Sequence, residues 1–125
     1  MGLISKILRD GTDGRLTWWC PGCDSPHAIN HGEGAGPRWT WNGDAVKPTF
    51  SPSVLTWWSE PANLDNEEAL QRDIQAARES GGKVPQVDKR CHSFVKDGQM
   101  QFLGDCTHAM AGQTVDIPTW PWGED

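Results

Sequence analysis

Four cysteines stand in this chain of 125 residues, and two of them are separated by only two residues in Cys20-Pro21-Gly22-Cys23. That spacing bends the backbone so that both sulfurs face one ion, as in the knuckle of a tetrahedral zinc site. Met1 to Lys6 lacks the long apolar region and small-residue cleavage site of an export signal, so a reducing, cytoplasmic setting in a bacterial host cell is expected. Disulfides are disfavoured there, and a metal becomes the leading use of the thiols. Cys91 and Cys106 flank two alternating stretches, 92–96 and 99–103, joined by the turn signal Asp97-Gly98. A two-residue turn sets Lys96 opposite Gln99, Val95 opposite Met100 and Ser93 opposite Phe102, and brings Cys91 and Cys106 together at the hairpin base. The expected ligand set is Cys20, Cys23, Cys91 and Cys106, with Zn2+ as the ion.

The rest of the chain is punctuated by 14 glycines and 9 prolines, which favours turns and short strands, while eight tryptophans and three phenylalanines supply an aromatic core. Leu16 to Trp19 reads as a strand entering the knuckle. Arg38-Trp39-Thr40-Trp41 alternates as a half-buried strand, and Asn42-Gly43 signals a hairpin turn. The two prolines of 48–53 exclude a central strand and indicate an edge or extended loop leading into Val54 to Trp58. From about Leu64 to Glu79 the period becomes helical: Leu70, Ile74 and Ala77 share a face, Asn63 or Asp65 caps the start, and Gly81-Gly82 ends the run. Gln113 to Ile117 is a last strand, followed by a non-helical tail containing Trp120 and Trp122, whose rings fold back on the sheet. The expected fold is mainly β, a small antiparallel sheet or sandwich of hairpins with one inserted surface helix and a zinc knuckle. It forms a single zinc-binding domain over 1–125 with a helical insertion at 63–82.

His27, His92 and His108 all lie within four residues of a cysteine, which supplies more candidate ligands than one structural site requires. Adjacent strand residues point to opposite faces, so at most one of Cys91 and His92 ligates from a regular strand. A site of Cys20, Cys23 and either of those two would leave a fourth position for water, whose lowered pKa makes it a nucleophile when a neighbour moves the protons. His92, Asp105 and His108 are the candidate catalytic residues, with Glu33 as a further proton carrier. His31-Gly32-Glu33 matches the HxE of zinc deaminases, but their cysteine pair follows the motif and here it precedes it. In adjacent tryptophan pairs such as Trp18-Trp19 and Trp57-Trp58, alternation turns one ring inward, so core packing takes precedence over a stacking platform. A formal charge of −6 argues against nucleic-acid binding, and no apolar run approaches the ~18 residues needed to span a membrane. A protein is the expected partner or substrate.

Several segments together resemble a known family: 19–23 (Trp-Cys-Pro-Gly-Cys), 37–43 (Pro-Arg-Trp-Thr-Trp-Asn-Gly), 48–53 (Pro-Thr-Phe-Ser-Pro-Ser), 91–94 (Cys-His-Ser-Phe), and 102–109 (Phe-Leu-Gly-Asp-Cys-Thr-His-Ala) with 111–114. The family is of bacteriophage and prophage origin and unknown function, and its members often carry the genome label "ammonia monooxygenase". The absence of a membrane segment and the four cysteines do not support that label. Longer relatives lie in bacterial operons with ubiquitin-like proteins and their conjugating enzymes, where a metal-dependent peptidase role is suggested. They share a knuckle, a Pro-Ser strand and a Cys-Ser-His-Phe segment, the last transposed here to Cys91-His92-Ser93-Phe94. The resemblance implies a small zinc metallohydrolase or peptidase acting on a host or ubiquitin-like protein. The alternative is a non-catalytic, zinc-stabilised phage accessory module that binds a host protein. Four protein ligands would indicate a closed structural site, and three plus water a catalytic one.

Overall fold

Strict alternation in Arg-Leu-Thr-Trp-Trp-Cys builds the strand on which the rest of the first sheet is organised. Leu16, Trp18 and Cys20 are buried on one face of this strand, β3 (Arg15–Cys20), as a period of two requires. The computed structural model describes residues 2–121. Before β3 come β1 (Gly2–Leu3), β2 (Arg9–Asp10) and a short turn at Thr12–Gly14. After it comes β4 (Ser25–Asn30), and the four strands form an antiparallel sheet in chain order. The sequence reading did not anticipate β4, because Pro26 and the polar Ser25 and Asn30 hide its inward residues, His27 and Ile29. In register, Trp18 faces His27 and Cys20 faces Ser25, so the knuckle is the turn of a hairpin.

The next pair, β5 (Thr40–Trp41) and β6 (Phe50–Ser51), sets Thr40 against Ser51 and Trp41 against Phe50. Asn42-Gly43 begins the hairpin connection without forming a two-residue turn. The Asn42 side chain instead closes a longer loop, accepting from the Asp44 and Thr49 amides (3.1 Å each) and donating to the Lys47 carbonyl (3.0 Å). Asp44 accepts in turn from the Lys47 and Val46 amides, which hold its carboxyl below the ordinary range. The peptide bond between Ser51 and Pro52 is cis.

The third sheet has the order β10 (Thr114–Asp116), β9 (Gln99–Phe102), β8 (Gln86–Lys96), β7 (Val54–Pro61). Its central hairpin has the expected register: Lys96 faces Gln99, Val95 faces Met100, and Ser93 faces Phe102 across Asp97-Gly98. Among the described residues the fold is therefore mainly β, with three antiparallel sheets and one α-helix. Leu8, Leu16, Trp18, Ile29, Phe50, Val54, Val95, Met100, Phe102 and Ile117 form the core together with Cys20, Cys91 and Cys106. Trp120 is buried and packs on Trp19 at 6.0 Å, with the Arg9 guanidinium 4.1 Å from its ring centre. Trp122 lies outside the described residues.

By its contacts the chain divides into two units, Met1–Thr56 with Cys91–Asp125, and Trp57–Arg90. The second unit holds α1 (Glu67–Ser80), which starts two to three residues later than the periodicity suggests. Asn66 takes the cap, its side chain accepting from the Ala69 amide at 3.1 Å, while Asn63 donates to Asp73 at 2.7 Å. Gly81 ends the helix in the left-handed conformation (φ 71°). No residue of α1 is buried, and Trp57 and Trp58 are both exposed, contrary to the expectation that one ring of each adjacent pair turns inward. Alternation sends neighbouring side chains to opposite faces, but it buries one only where a face is covered.

The core makes a direct stability prediction. Met100→Ala is expected to lower the unfolding free energy by about 2–5 kcal/mol, whereas Leu55→Ala, at a half-exposed site, changes it by less than about 1 kcal/mol; urea denaturation measures both.

Candidate functional site

Two chemical centres sit back to back on β8, and the pleat of the strand separates them. Cys91, Ser93 and Val95 point into the core, which leaves His92 on the opposite, partly exposed face.

On the inward side, Cys20, Cys23, His27 and Cys91 each offer one ligand atom, and these atoms lie within 4.8 Å of one another. They are close enough to hold one metal ion. Cys20 and Cys91 approach to 4.0 Å between sulfurs, and the Cys23 amide donates to the Cys20 sulfur at 3.4 Å, the contact that a CxxC turn makes to its first thiolate. All four cysteines are free. His27 is carried inward by its place opposite Trp18, and its Nε2 is buried with no hydrogen-bond partner. A ring nitrogen of His27 lies among the three sulfurs, and unpartnered imidazole nitrogens at His27 and also at His108 beside Cys91 and Cys106 fit a cation better than a core packed for its own sake. The thiols also bias one another: hydrogen bonds from Cys23 and Cys91 hold Cys20 far below the ordinary thiol range. The hydrogen bond to Cys20 pushes Cys23 up to about 12, and bonds to Cys20 and Cys23 raise Cys91. Without a cation the group thus keeps protons that a divalent ion would displace.

Cys106 falls into a second set, with Cys91 and His108, whose ligand atoms also lie within 4.8 Å of one another. Cys91 belongs to both sets, so the hairpin base does bring Cys91 and Cys106 together. His108 packs edge-on against Phe102 at 4.6 Å and accepts the Met110 amide at Nδ1 (3.2 Å). Its ring lies so close over the knuckle that a Cβ at Gly22 would overlap it, so a larger residue at the third knuckle position would have to push the imidazole aside.

On the outward side stands a chain of three polar groups. The Ser53 Oγ is 3.0 Å from His92 Nε2, and His92 Nδ1 is 3.2 Å from Asp105 Oδ2. With the proton on Nδ1 donated to the carboxylate, Nε2 is free to accept from the serine hydroxyl. Ser53 is presented by the extended segment between β6 and β7, where its carbonyl accepts the indole N–H of Trp39 at 3.3 Å. The side chains of His92 and Asp105 are 24% and 42% exposed, which leaves this centre open to a substrate.

Of the residues singled out from sequence, His92 and Asp105 meet here, while His108 lies with the sulfurs. Glu33 stands in the exposed loop that follows β4. Ser53 was missed. It appears in sequence only as the last residue of Pro48 to Ser53, and nothing local marks one serine among many as the partner of a histidine 39 residues later. His27 stands in sequence as an open alternative to one of the cysteine ligands, and only β4, which the sequence pattern hides, turns it inward to them.

The family model described as "Bacterial ubiquitination-like system serine protease (BubE)" matches residues 4–103. That span contains Ser53 and His92, and Asp105 lies just past its end. It agrees with the relation to bacterial ubiquitin-like operons inferred from the sequence segments. No curated protein and no solved structure matches the chain.

The sulfur cluster predicts that the native protein carries one divalent ion per chain, seen by native mass spectrometry. Cys23→Ala and His27→Ala are each expected to lose it, and chelation is expected to lower Tm by about 10 °C or more.

Proposed function

This chain belongs to the family of serine proteases of bacterial ubiquitination-like systems, and on that premise we propose that it is a serine peptidase with Ser53 as nucleophile, His92 as general base and Asp105 as the group that orients the base. The observation that carries the reading is the linear relay Ser53, His92, Asp105, with contacts of 3.0 and 3.2 Å. Such spacing is what an activated serine requires before substrate binds.

In the proposed reaction His92 Nε2 takes the Ser53 proton as Oγ attacks a peptide carbonyl. The imidazolium that forms is stabilised by Asp105, and the proton passes to the leaving amine as the acyl-serine forms. Water then repeats the sequence to release the acid. Trp39, by holding the Ser53 carbonyl, fixes the backbone that presents the hydroxyl. The same indole lines a cavity of ≈ 400 Å³ with His31, Gly32, Arg38, Thr40 and Trp41, a suitable seat for part of a peptide chain. Arg38 is engaged there by Asp13 (2.9 Å) and by the Ala35, Asp13 and His31 carbonyls, so the seat is aromatic in character and not built around a free cation.

The metal serves the fold in this reading. Cys20, Cys23, Cys91 and His27 would supply three thiolates and one imidazole to an ion, a donor set that favours zinc, and four protein ligands would leave no position for a reactive water. Hydrolysis therefore rests on the serine and not on metal-bound hydroxide. The substrate we infer is a protein of the ubiquitination-like system, met in a bacterial cytoplasm, whether the gene is cellular or carried by a phage.

Ser53→Ala and His92→Ala are expected to abolish covalent labelling by a fluorophosphonate and to lower peptide hydrolysis by about four orders of magnitude, with metal content and Tm unchanged. A wild-type protein that is folded and metal-loaded but never labelled would leave the non-catalytic binding module as the better account.

A further inference from the structure

We propose that Cys106 is a positioning residue for the base: its thiol clamps the backbone of His92 and so couples the sulfur cluster to the relay. The inference rests on the reading of Ser53, His92 and Asp105 as a catalytic unit.

Backbone pairing at the base of the β8–β9 hairpin shows why a clamp is needed. The last ladder pair is Ser93 with Phe102. One step further, the Leu103 amide still donates to the His92 carbonyl at 2.9 Å, but the Leu103 carbonyl accepts the Cys106 amide at 3.2 Å. The chain has turned back on itself over 103–106, and the His92 amide has lost the carbonyl that a continuing ladder would offer. The Cys106 sulfur replaces it. His92 N donates to Cys106 Sγ at 3.2 Å, and the Cys106 thiol donates to the His92 carbonyl at 3.2 Å. One side chain thus engages both backbone polar groups of His92, the amide of the peptide before its Cα and the carbonyl of the peptide after it.

Chain connectivity makes this clamp specific to catalysis. Cys91, a member of the metal-competent set, immediately precedes His92, and Asp105 immediately precedes Cys106. Fixing Cys106 on His92 therefore sets the spacing of the two residues whose side chains must meet at 3.2 Å. A thiol at this position can accept and donate at once. A hydroxyl preserves both roles with shorter reach, and a methyl group preserves neither.

The test compares full-length wild type, Cys106→Ala, Cys106→Ser and Ser53→Ala in three measurements: ions per chain by native mass spectrometry, saturation kinetics of fluorophosphonate labelling, and hydrogen exchange at the His92 amide. All four proteins are expected to keep one ion. In Cys106→Ala the maximal labelling rate falls by on the order of tenfold to a hundredfold, the scale of a misplaced reacting group, with probe affinity unchanged, and the His92 amide exchanges faster. Cys106→Ser recovers most of both. Loss of the ion in both Cys106 variants would make the residue a ligand and overturn the proposal, as would a Cys106→Ala protein with wild-type labelling and a protected His92 amide. If wild type is not labelled at all, the serine reading fails, and the clamp is judged on His92 exchange alone, where equal protection in all variants overturns it.

Discussion

The sulfurs of Cys20 and Cys91 come within 4.0 Å of each other from positions 71 residues apart in the chain, and most of what this protein can do depends on that approach. Cys20 ends the inward face of β3, and Cys91 occupies the inward face of β8. Bringing them together joins two sheets in one buried core, where Trp18, Phe50, Val95, Met100 and Phe102 exclude water. Two buried imidazole nitrogens without partners, His27 Nε2 and His108 Nε2, are costly in such an interior unless a cation draws on them. An ion held there would act with the apolar core as one stabilising device.

The same convergence orders the outer face. A strand cannot turn Cys91 inward without turning His92 outward, so seating one sulfur in the cluster aims the imidazole at Ser53 and Asp105. Buried soft ligands and a solvent-open relay are thereby separated by a single backbone, and neither competes for the other's residues. The arrangement also explains how so small a fold holds a serine, a histidine and an aspartate in line. The serine rides on a proline-flanked segment tied by Trp39, and the other two ride on the ends of a hairpin tied by Cys106.

Much of the architecture was legible in the residues. The Asp97-Gly98 hairpin appears with the expected register, the knuckle is a hairpin turn, and the helix is in place with its start two to three residues later than the periodicity suggests. These are local matters of turn chemistry and alternation over a few residues. The strand β4 escaped notice because its inward pair includes a histidine, and the exposure of both Trp57 and Trp58 because alternation says nothing about which face is covered.

What the sequence determined by itself is the inventory and its short-range geometry: a CxxC turn, a second pair of cysteines at a hairpin base, and the rule that Cys91 and His92 part company. Only the tertiary structure decided which distant groups meet. It paired His27 with Cys20, Cys23 and Cys91, placed Cys106 against the His92 backbone, and brought Ser53 to His92. The physical reason is range. Dihedral preferences and side-chain alternation act over a few residues and are written in order along the chain, whereas a relay or a ligand set joins side chains through space, and its members are chosen by how three sheets pack.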